Sequence, residues 1–307
     1  MEVIRIDDST VIQNETASSI GFFDGVHRGH RYLIEQLKEN AQLFGLPTSI
    51  ITFFNHPKKI LQSEYPLKLL NSFDERIRQL ASTGINYCYV IHFTETFSEI
   101  TAENFIRRLS RQLKIKFLLI GYDHRFGNGR SHTFEHYLAF GKANNIIVDR
   151  AGELPENAAS SCSSTVIRQL LQEGEVEKAA ELLSYNYPLE GNVIRGDQVG
   201  RTIGFPTANI ELIEKEKLIP KEGVYAGIVY VEGKQYAGMI YIGRRPTFSS
   251  QKEQRIEAHI LDFNEDIYGK KIQIELLSFL RPDISFSNIE DLRKQLEKDR
   301  EKLCSLK

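Results

Sequence analysis

The chain has 307 residues, 41% of them hydrophobic and 26% charged, with a formal net charge of -2. That is enough chain for two domains with real cores, and so balanced a charge excludes broad electrostatic attraction to nucleic acid or an anionic membrane, leaving any basic site local. No basic start followed by an apolar run is visible, and no apolar stretch approaches the roughly 20 residues that span a bilayer, so a cytoplasmic location is expected.

From the N-terminus to about Arg150, short apolar runs alternate with helical patterns. "SSIGFF" reads as a buried strand, and Leu33, Ile34, Leu37, Ala41 and Phe44 then fall on one helical face before Gly45 and Pro47 stop the helix. "TSIITFF" is a second strand. A helix around Glu75 to Ser82 leads through Gly84 to "YCYVIHF", a helix begun by Thr101 leads to "KFLLIG", and one begun by Thr133 leads to "IIVDR". Strands separated by helices of this length need crossover connections, which predicts a parallel sheet with helices on both faces. In such a sheet the C-terminal strand ends share one edge, where ligands bind. "FDGVHRGH" after the first of these strands, "NHP" after the second and "GYDHRFGNGR" after the fourth therefore converge on one site.

A short helical segment, "SSTVIRQLLQEGEVEKAAELL", follows, and after Pro188 the pattern changes to antiparallel strands. "GVYAGIVYV-EGK-QYAGMIYIG" reads as a hairpin and "KKIQIELLSFL" as another strand. The chain closes with a helix from about Asn288, with a Ser287-x-x-Glu290 capping box ahead of Ile289, Leu292, Leu296 and Leu303. The expected domains are residues 1–184 and 185–307. Cys88, Cys162 and Cys304 are odd in number and far apart, which suits neither a disulfide framework nor a CxxC zinc site; they read as buried or incidental thiols.

Chemistry concentrates in three stretches. In "GFFDGVHRGH", Gly25 and Gly29 let backbone approach a ligand where a strand turns into a helix, whose free N–H groups attract phosphate. His27 and His30 there read as a metal pair, a phosphate-binding pair or two ordinary histidines near a helix start. A metal is the weaker reading, because no HExxH or Cys/His third ligand follows. "SSTVIR", Ser163 to Arg168, sets a hydroxyl cluster at a helix start with an arginine in the first turn, which suits a triphosphate, although an N-cap and a surface arginine would look the same. "GDQVGRTIGFPTAN" has glycines at 196, 200 and 204 but no Walker pattern; Thr207 and Asn209 offer two hard oxygen ligands for one Mg²⁺ bridged to phosphates. Glu257, a carboxylate between apolar neighbours on a strand, has the chemistry of a general base for a hydroxyl attacking a γ-phosphate, although an outward-facing strand glutamate would look the same.

Gly-x-Phe-Asp-Gly-x-His-x-Gly-His resembles the HxGH signature of the nucleotidyltransferase superfamily, "SSTVIR" its later ATP-binding motif, and "GFPTAN" the PTAN motif of riboflavin kinases. With "GVYAG", "IGRRPTF", "EAHILDF", "DIYG" and "LRPDISF" in order, the whole chain resembles the prokaryotic bifunctional riboflavin kinase/FAD synthetase family. The resemblance implies an α/β plus all-β protein: an N-terminal Rossmann-like nucleotidyltransferase sheet, then a six-stranded antiparallel flavokinase barrel with a C-terminal helix. It implies riboflavin plus ATP giving FMN, then FMN plus ATP giving FAD and diphosphate, with Mg²⁺ as cofactor.

The same resemblance assigns phosphate and ATP contacts to Gly21, Phe22, Phe23, Asp24, Gly25, His27 and His30, to Ser163, Ser164, Thr165 and Arg168, and to Gly196, Gly200, Arg201, Gly204, Pro206, Thr207 and Asn209. Glu257 matches the kinase base, Thr207 and Asn209 the metal ligands, and Asn55, His56, Asp123, Arg125, Phe126 and Arg281 flavin contacts. Phe22, Asn55, His124, Tyr241, Asp283 and Ser285 depart from the common family residues, and none of these removes a group with a bond-making role. Riboflavin, FMN, FAD and ATP are the expected partners, with no nucleic acid or membrane, and the protein is expected to be a monomer or weak oligomer. A kinase with a drifted transferase module and a non-catalytic flavin-binding regulator stand as the alternatives.

Overall fold

The computed structural model describes residues 1–62, 66–122, 125–128, 132–154, 162–196, 199–245 and 253–305. Two compact units divide between Cys162 and Ser163. The first holds strands β1 (Glu2–Ile6), β2 (Thr16–Ile20), β3 (Thr48–Phe53), β4 (Tyr87–Ile91), β5 (Ile115–Ile120) and β6 (Ile147–Arg150). Every pairing in this sheet is parallel, in the order β1-β4-β3-β2-β5-β6. The sequence did not announce β1: Glu2, Val3 and Arg5 are exposed, only Ile4 and Ile6 turn toward the core, and pairing with β4 makes the segment a strand.

Helices α1 (Arg28–Phe44), α2 (Pro57–Leu61), α3 (Phe73–Ala81), α4 (Glu95–Ser98), α5 (Ala102–Arg111) and α6 (Phe134–Ala143) connect the strands. Helices cover both faces of the sheet, as expected. Ile34, Leu37 and Ala41 of α1 and Leu80 of α3 pack with Ile50, Cys88 and Phe117 on one face. Phe105, Ile106 and Leu109 of α5 and Tyr137 of α6 pack with Ile51, Tyr89 and Leu118 on the other. Phe44 is 46% exposed, so the predicted stripe of α1 ends one turn early. α3 starts two residues before expectation because Ser72 and Glu75 form a reciprocal capping box.

The strand order fixes the site. From β2 the chain steps through β3 to β4 on one side and then returns to β5 on the other, so β2 and β5 flank the switch point where an open parallel sheet binds ligands. The segments after β2 and β5 are two of the three singled out by their polar residues, and the third follows β3.

In the second unit, helices α7 (Ser164–Glu173) and α8 (Val176–Leu183) precede the barrel. The expected single segment is two helices, broken at Gly174. The unit boundary also falls earlier than residue 184, because Leu171, Val176, Ala179 and Leu183 are fully buried and α8 packs on β7 and β12. Strands β7 (Tyr187–Ile194), β8 (Ala208–Leu212), β9 (Gly223–Val231), β10 (Lys234–Arg245), β11 (Glu253–Ile260) and β12 (Lys271–Arg281) close into an antiparallel barrel in the order β10-β11-β8-β7-β12-β9. The predicted hairpin joins β9 to β10 through Glu232 and Gly233, both at positive φ, the mirror-image turn whose twist matches the strands.

A short helix α9 (Val199–Thr202) precedes β8, and α10 (Ile289–Ser305) ends the fold, with Leu296 and Leu303 against Phe205 and Met239. Its cap differs from expectation: Asn288, not Ser287, accepts the Asp291 N–H at 2.8 Å and donates to the Asp291 carboxylate. Ile289 then faces solvent at 64% exposure, outside the predicted apolar face.

Candidate active sites

In the first unit, the chain leaves β2 through a tightly coiled loop. Phe23 (φ 59°), Gly25 (φ 84°) and Val26 (φ 38°) all lie in the left-handed region, which Gly25 takes freely and the other two only under local strain. Strain of this kind persists where surrounding structure enforces it, and clusters at functional sites. The coil ends at His27, which precedes α1 with extended backbone and no side-chain capping bond. One helical turn brings His30 beside it, with stacked rings whose centroids are 3.7 Å apart, 19° from parallel. Phe23 meets the His30 ring edge-on at 5.2 Å. The α1 N-terminus and both imidazoles thus lie together at the switch-point edge, where donors and the helix dipole favour phosphate.

Other residues of this stretch hold the loop. Asp24 is 4% exposed, and its carboxylate accepts the Leu70 N–H at 3.0 Å and the Asn71 N–H at 3.2 Å. Asp24→Ala is expected to orphan both donors and destabilise the unit by roughly 1–3 kcal/mol for each, read as a lower denaturant midpoint. Phe22 lies between the Arg76 guanidinium, 3.8 Å from its ring centre, and the His56 ring at 4.3 Å. Arg76 is 1% exposed and donates to the carbonyls of Phe53 and Phe54, so it ties the end of β3 to the β2 loop. Burial pulls its pKa down to about 10 against the opposing charge of Asp24. Sequence reasoning missed Arg76; its position in an ordinary helical pattern gave no signal.

The flavin candidates divide. His56 caps α2, its Nδ1 accepting the Lys58 N–H at 3.1 Å. Both ends of the Asn55 amide go to the Phe93 backbone, at 2.8 and 3.0 Å, making it a clip between the ends of β3 and β4. Phe126 packs on Tyr137 at 4.6 Å and exchanges two backbone bonds with its hydroxyl, while the exposed Arg125 precedes it. Asp123 and the departing residue His124 lie outside the described residues. Ser163 caps α7 by accepting the Val166 N–H at 3.3 Å, with Ser164, Thr165 and Arg168 in the first turns.

In the barrel, β8 and β11 are neighbours and Asn209 pairs directly with Glu257. Alternation along β11 buries Ile256, Ala258 and Ile260, placing Arg255, Glu257 and His259 together on the opposite face. Thr207 donates its hydroxyl to Glu257 Oε2 at 2.7 Å. Arg255 Nε lies 2.8 Å from Glu257 Oε1 and 2.8 Å from Asn209 Oδ1. One guanidinium therefore knits the predicted base to a predicted metal ligand. Sequence reasoning missed Arg255, although its two-residue spacing from Glu257 was the available signal.

A Cβ at Gly196 would overlap the Asn209 amide, so a side chain there would displace Asn209. His259 bonds the Pro206 carbonyl at 2.8 Å, and burial holds its pKa below the usual imidazole value. A cavity of about 470 Å³ opens beside this cluster, lined by Arg201, Pro206, Thr207, Ala258, Phe263 and Tyr268 among others. That is a volume suited to a small-molecule ligand. Gly200 and Gly204 bracket the turn beneath it, where Phe205 N–H donates to the Gly200 carbonyl at 2.9 Å. Arg281 is turned elsewhere: its Nε meets the fully buried Asp299 at 2.8 Å, anchoring α10 to the end of β12. Tyr241, another departure, donates to Asp283 at 3.1 Å, and burial raises its phenol to about 12.

Comparison with known proteins gives a consistent result. A riboflavin kinase family model matches residues 183–306 and an FAD synthetase family model residues 9–166. The chain is 40% identical over 301 residues to the bifunctional riboflavin kinase/FMN adenylyltransferase of Listeria monocytogenes, covering 96% of this chain and 93% of that one. It is 36% identical to the proteins of the same description from Bacillus subtilis, over 95% of this chain and 93% of the relative, and from Escherichia coli, over 92% and 89%. A Streptococcus pneumoniae crystal structure titled a macrolide-efflux protein matches with a TM-score of 0.85, 30% identity and 98% coverage of both chains. In the present chain no helix among the described residues is long and apolar enough to cross a membrane.

Proposed function

Because the chain belongs to the bifunctional riboflavin kinase/FMN adenylyltransferase family, with both of that family's domains present, we propose how its own residues divide the two reactions. Riboflavin and ATP give FMN and ADP in one domain; FMN and ATP give FAD and diphosphate in the other. The presence of both matched domains favours this over a kinase with a drifted transferase module or a flavin-binding regulator. Both reactions consume ATP, and we assign them to the cytoplasm and to a monomer or weak oligomer, which light scattering would test.

The observation that carries the kinase assignment is the arrangement of Thr207, Asn209, Arg255 and Glu257. Glu257 accepts the proton of the attacking ribityl hydroxyl, with Oε2 fixed by Thr207 and Oε1 by Arg255, so the carboxylate is oriented before substrate arrives. Each carboxylate oxygen keeps a lone pair for the substrate hydroxyl. The donor set fits a Mg²⁺ brought by the nucleotide: Thr207 gives its proton to Glu257, which leaves the hydroxyl lone pairs for a cation, and Asn209 adds a hard amide oxygen. When bound, the cation offsets charge on the β- and γ-phosphate oxygens. Gly196, Gly200, Arg201, Gly204 and Pro206 shape the phosphate-facing turn.

In the adenylyltransferase, the FMN phosphate is already ionised and attacks the α-phosphorus directly, so no base is needed. His27, His30 and the N–H groups opening α1 stabilise the charge that moves onto the diphosphate leaving group. Gly21, Phe22, Phe23, Asp24 and Gly25 build the loop that presents them. Ser163, Ser164, Thr165 and Arg168 remain ATP-binding assignments, and His56, Asp123, Arg125 and Phe126 flavin-binding ones. Asn55 and Arg281 act through the backbone and helix they hold. We assign adenylyl transfer to residues 1–184 and phosphorylation to 185–307, with helices α7 and α8 packed as part of the second unit.

Thr207→Val tests the metal assignment at nearly constant volume. Kinase activity should fall and its magnesium requirement rise, while FAD formation from supplied FMN persists. Unchanged magnesium dependence would make Thr207 a structural turn residue.

A further inference from the structure

Strand patterning gives His259 no role, yet folding places it on the face of β11 that carries Glu257 and against the turn that carries Thr207. We propose that His259 is a positioning residue for riboflavin phosphorylation: its Nδ1–H holds the Pro206 carbonyl and thereby sets where the next residue, Thr207, presents its hydroxyl to Glu257 and to the nucleotide's cation. The inference rests on the readings of Thr207 and Glu257 given above.

The acceptor fixes the direction of this bond. A carbonyl oxygen has no proton to give, so with His259 Nδ1 2.8 Å from the Pro206 oxygen the ring nitrogen is the donor. The imidazolium carries the same Nδ1–H as this neutral tautomer, so the bond does not depend on the ionisation state of the ring.

The place of Pro206 in the chain explains why a side chain does this. β8 pairs with β11 through Ile210, Asn209 and Ala208, opposite Ile256, Glu257 and Ala258, and the ladder ends there. Pro206, two residues before that end, has no N–H with which to continue the pairing. Its carbonyl takes a side-chain partner instead. A peptide unit is planar, so holding the Pro206 oxygen also fixes the Thr207 N–H and the point from which the Thr207 side chain departs. Glu257 then accepts the Thr207 hydroxyl at 2.7 Å. His259 and Glu257, about 7 Å apart along one face of β11, thus grip two consecutive residues of the turn. Packing aims the His259 ring in turn: it meets the Phe205 ring at 5.2 Å, and Phe205 is itself fixed among Met239, Leu296 and Leu303. The C-terminal helix α10 therefore backs the turn through Phe205, while His259 sets the peptide that leads into Thr207.

The test compares two variants of the full chain: His259→Phe, which keeps a ring against Phe205 but removes the donor, and His259→Asn, whose amide N–H sits at the reach of Nδ1–H. Riboflavin phosphorylation is followed at varied magnesium, with FAD formation from supplied FMN as internal control. His259→Phe should lower kcat for phosphorylation roughly 10-fold and raise the magnesium needed for half-maximal rate by a similar factor, the low end for losing a partner that orients a metal ligand. His259→Asn should recover most of both losses, and FAD formation, in the other unit, should be unchanged by either. Because His259 acts through Thr207, adding His259→Phe to Thr207→Val should cost much less than it does in the parent chain. Parental kinetics in His259→Phe, equal losses in the two variants, or full additivity with Thr207→Val would overturn the proposal. Should His259→Phe fail to fold, His259→Asn still decides, since a 10-fold loss there overturns the proposal and near-parental kinetics uphold it. Unchanged magnesium dependence in Thr207→Val alone would instead sink the reading of Thr207 beneath it, so the two failures are distinguishable.

Discussion

Glu257→Gln is expected to lower riboflavin phosphorylation by roughly 10²- to 10⁴-fold while riboflavin and MgATP still bind. Glutamine keeps the size of the side chain and an oxygen that can accept from Thr207, now 2.7 Å from Glu257 Oε2. It cannot take up a proton. Binding retained with turnover lost therefore separates a base from a binding residue, and equilibrium titration with flavin beside steady-state kinetics reads both. FAD formation from supplied FMN should be unchanged. Normal turnover would pass the role to another group, with Asp262, exposed just beyond the end of β11, the next candidate. Loss of flavin binding would make Glu257 a binding residue.

His27→Ala or His30→Ala should reduce FAD formation from FMN by roughly 10²- to 10³-fold, the scale for one preorganised donor to charge that develops in the transition state. Riboflavin phosphorylation should continue at its original rate, since Glu257, Thr207 and Asn209 belong to the other unit. The rings are stacked at 3.7 Å, so losing either also frees its partner, and the double variant should cost less than the product of the two single losses. Parallel loss of both activities would overturn the two-site assignment. Thermal unfolding of each variant separates a folding defect from a chemical one.

The sequence by itself determined the α/β half, because alternating helical and strand periods report local burial, and it placed His27, Glu257, Thr207 and Asn209 on loops and strands through short motifs and two-residue alternation. It also announced the β9–β10 hairpin, because a Glu-Gly turn is chosen locally. Only the tertiary structure decided the rest. β1 exists as a strand because β4 offers it a ladder, and nothing in Glu2 to Ile6 encodes that partner. Helices α7 and α8 join the barrel because Leu171, Val176, Ala179 and Leu183 find their burial there, whereas their sequence shows only that each has an apolar face. Asn55 and Arg281 carry polar groups that any ligand reading would claim, yet each is occupied by a partner, Phe93 and Asp299, that only folding brings within reach. Arg255 becomes meaningful by the same physics: a hydrogen bond acts over about 3 Å in space, and sequence periodicity carries no record of which distant residue will stand at that distance.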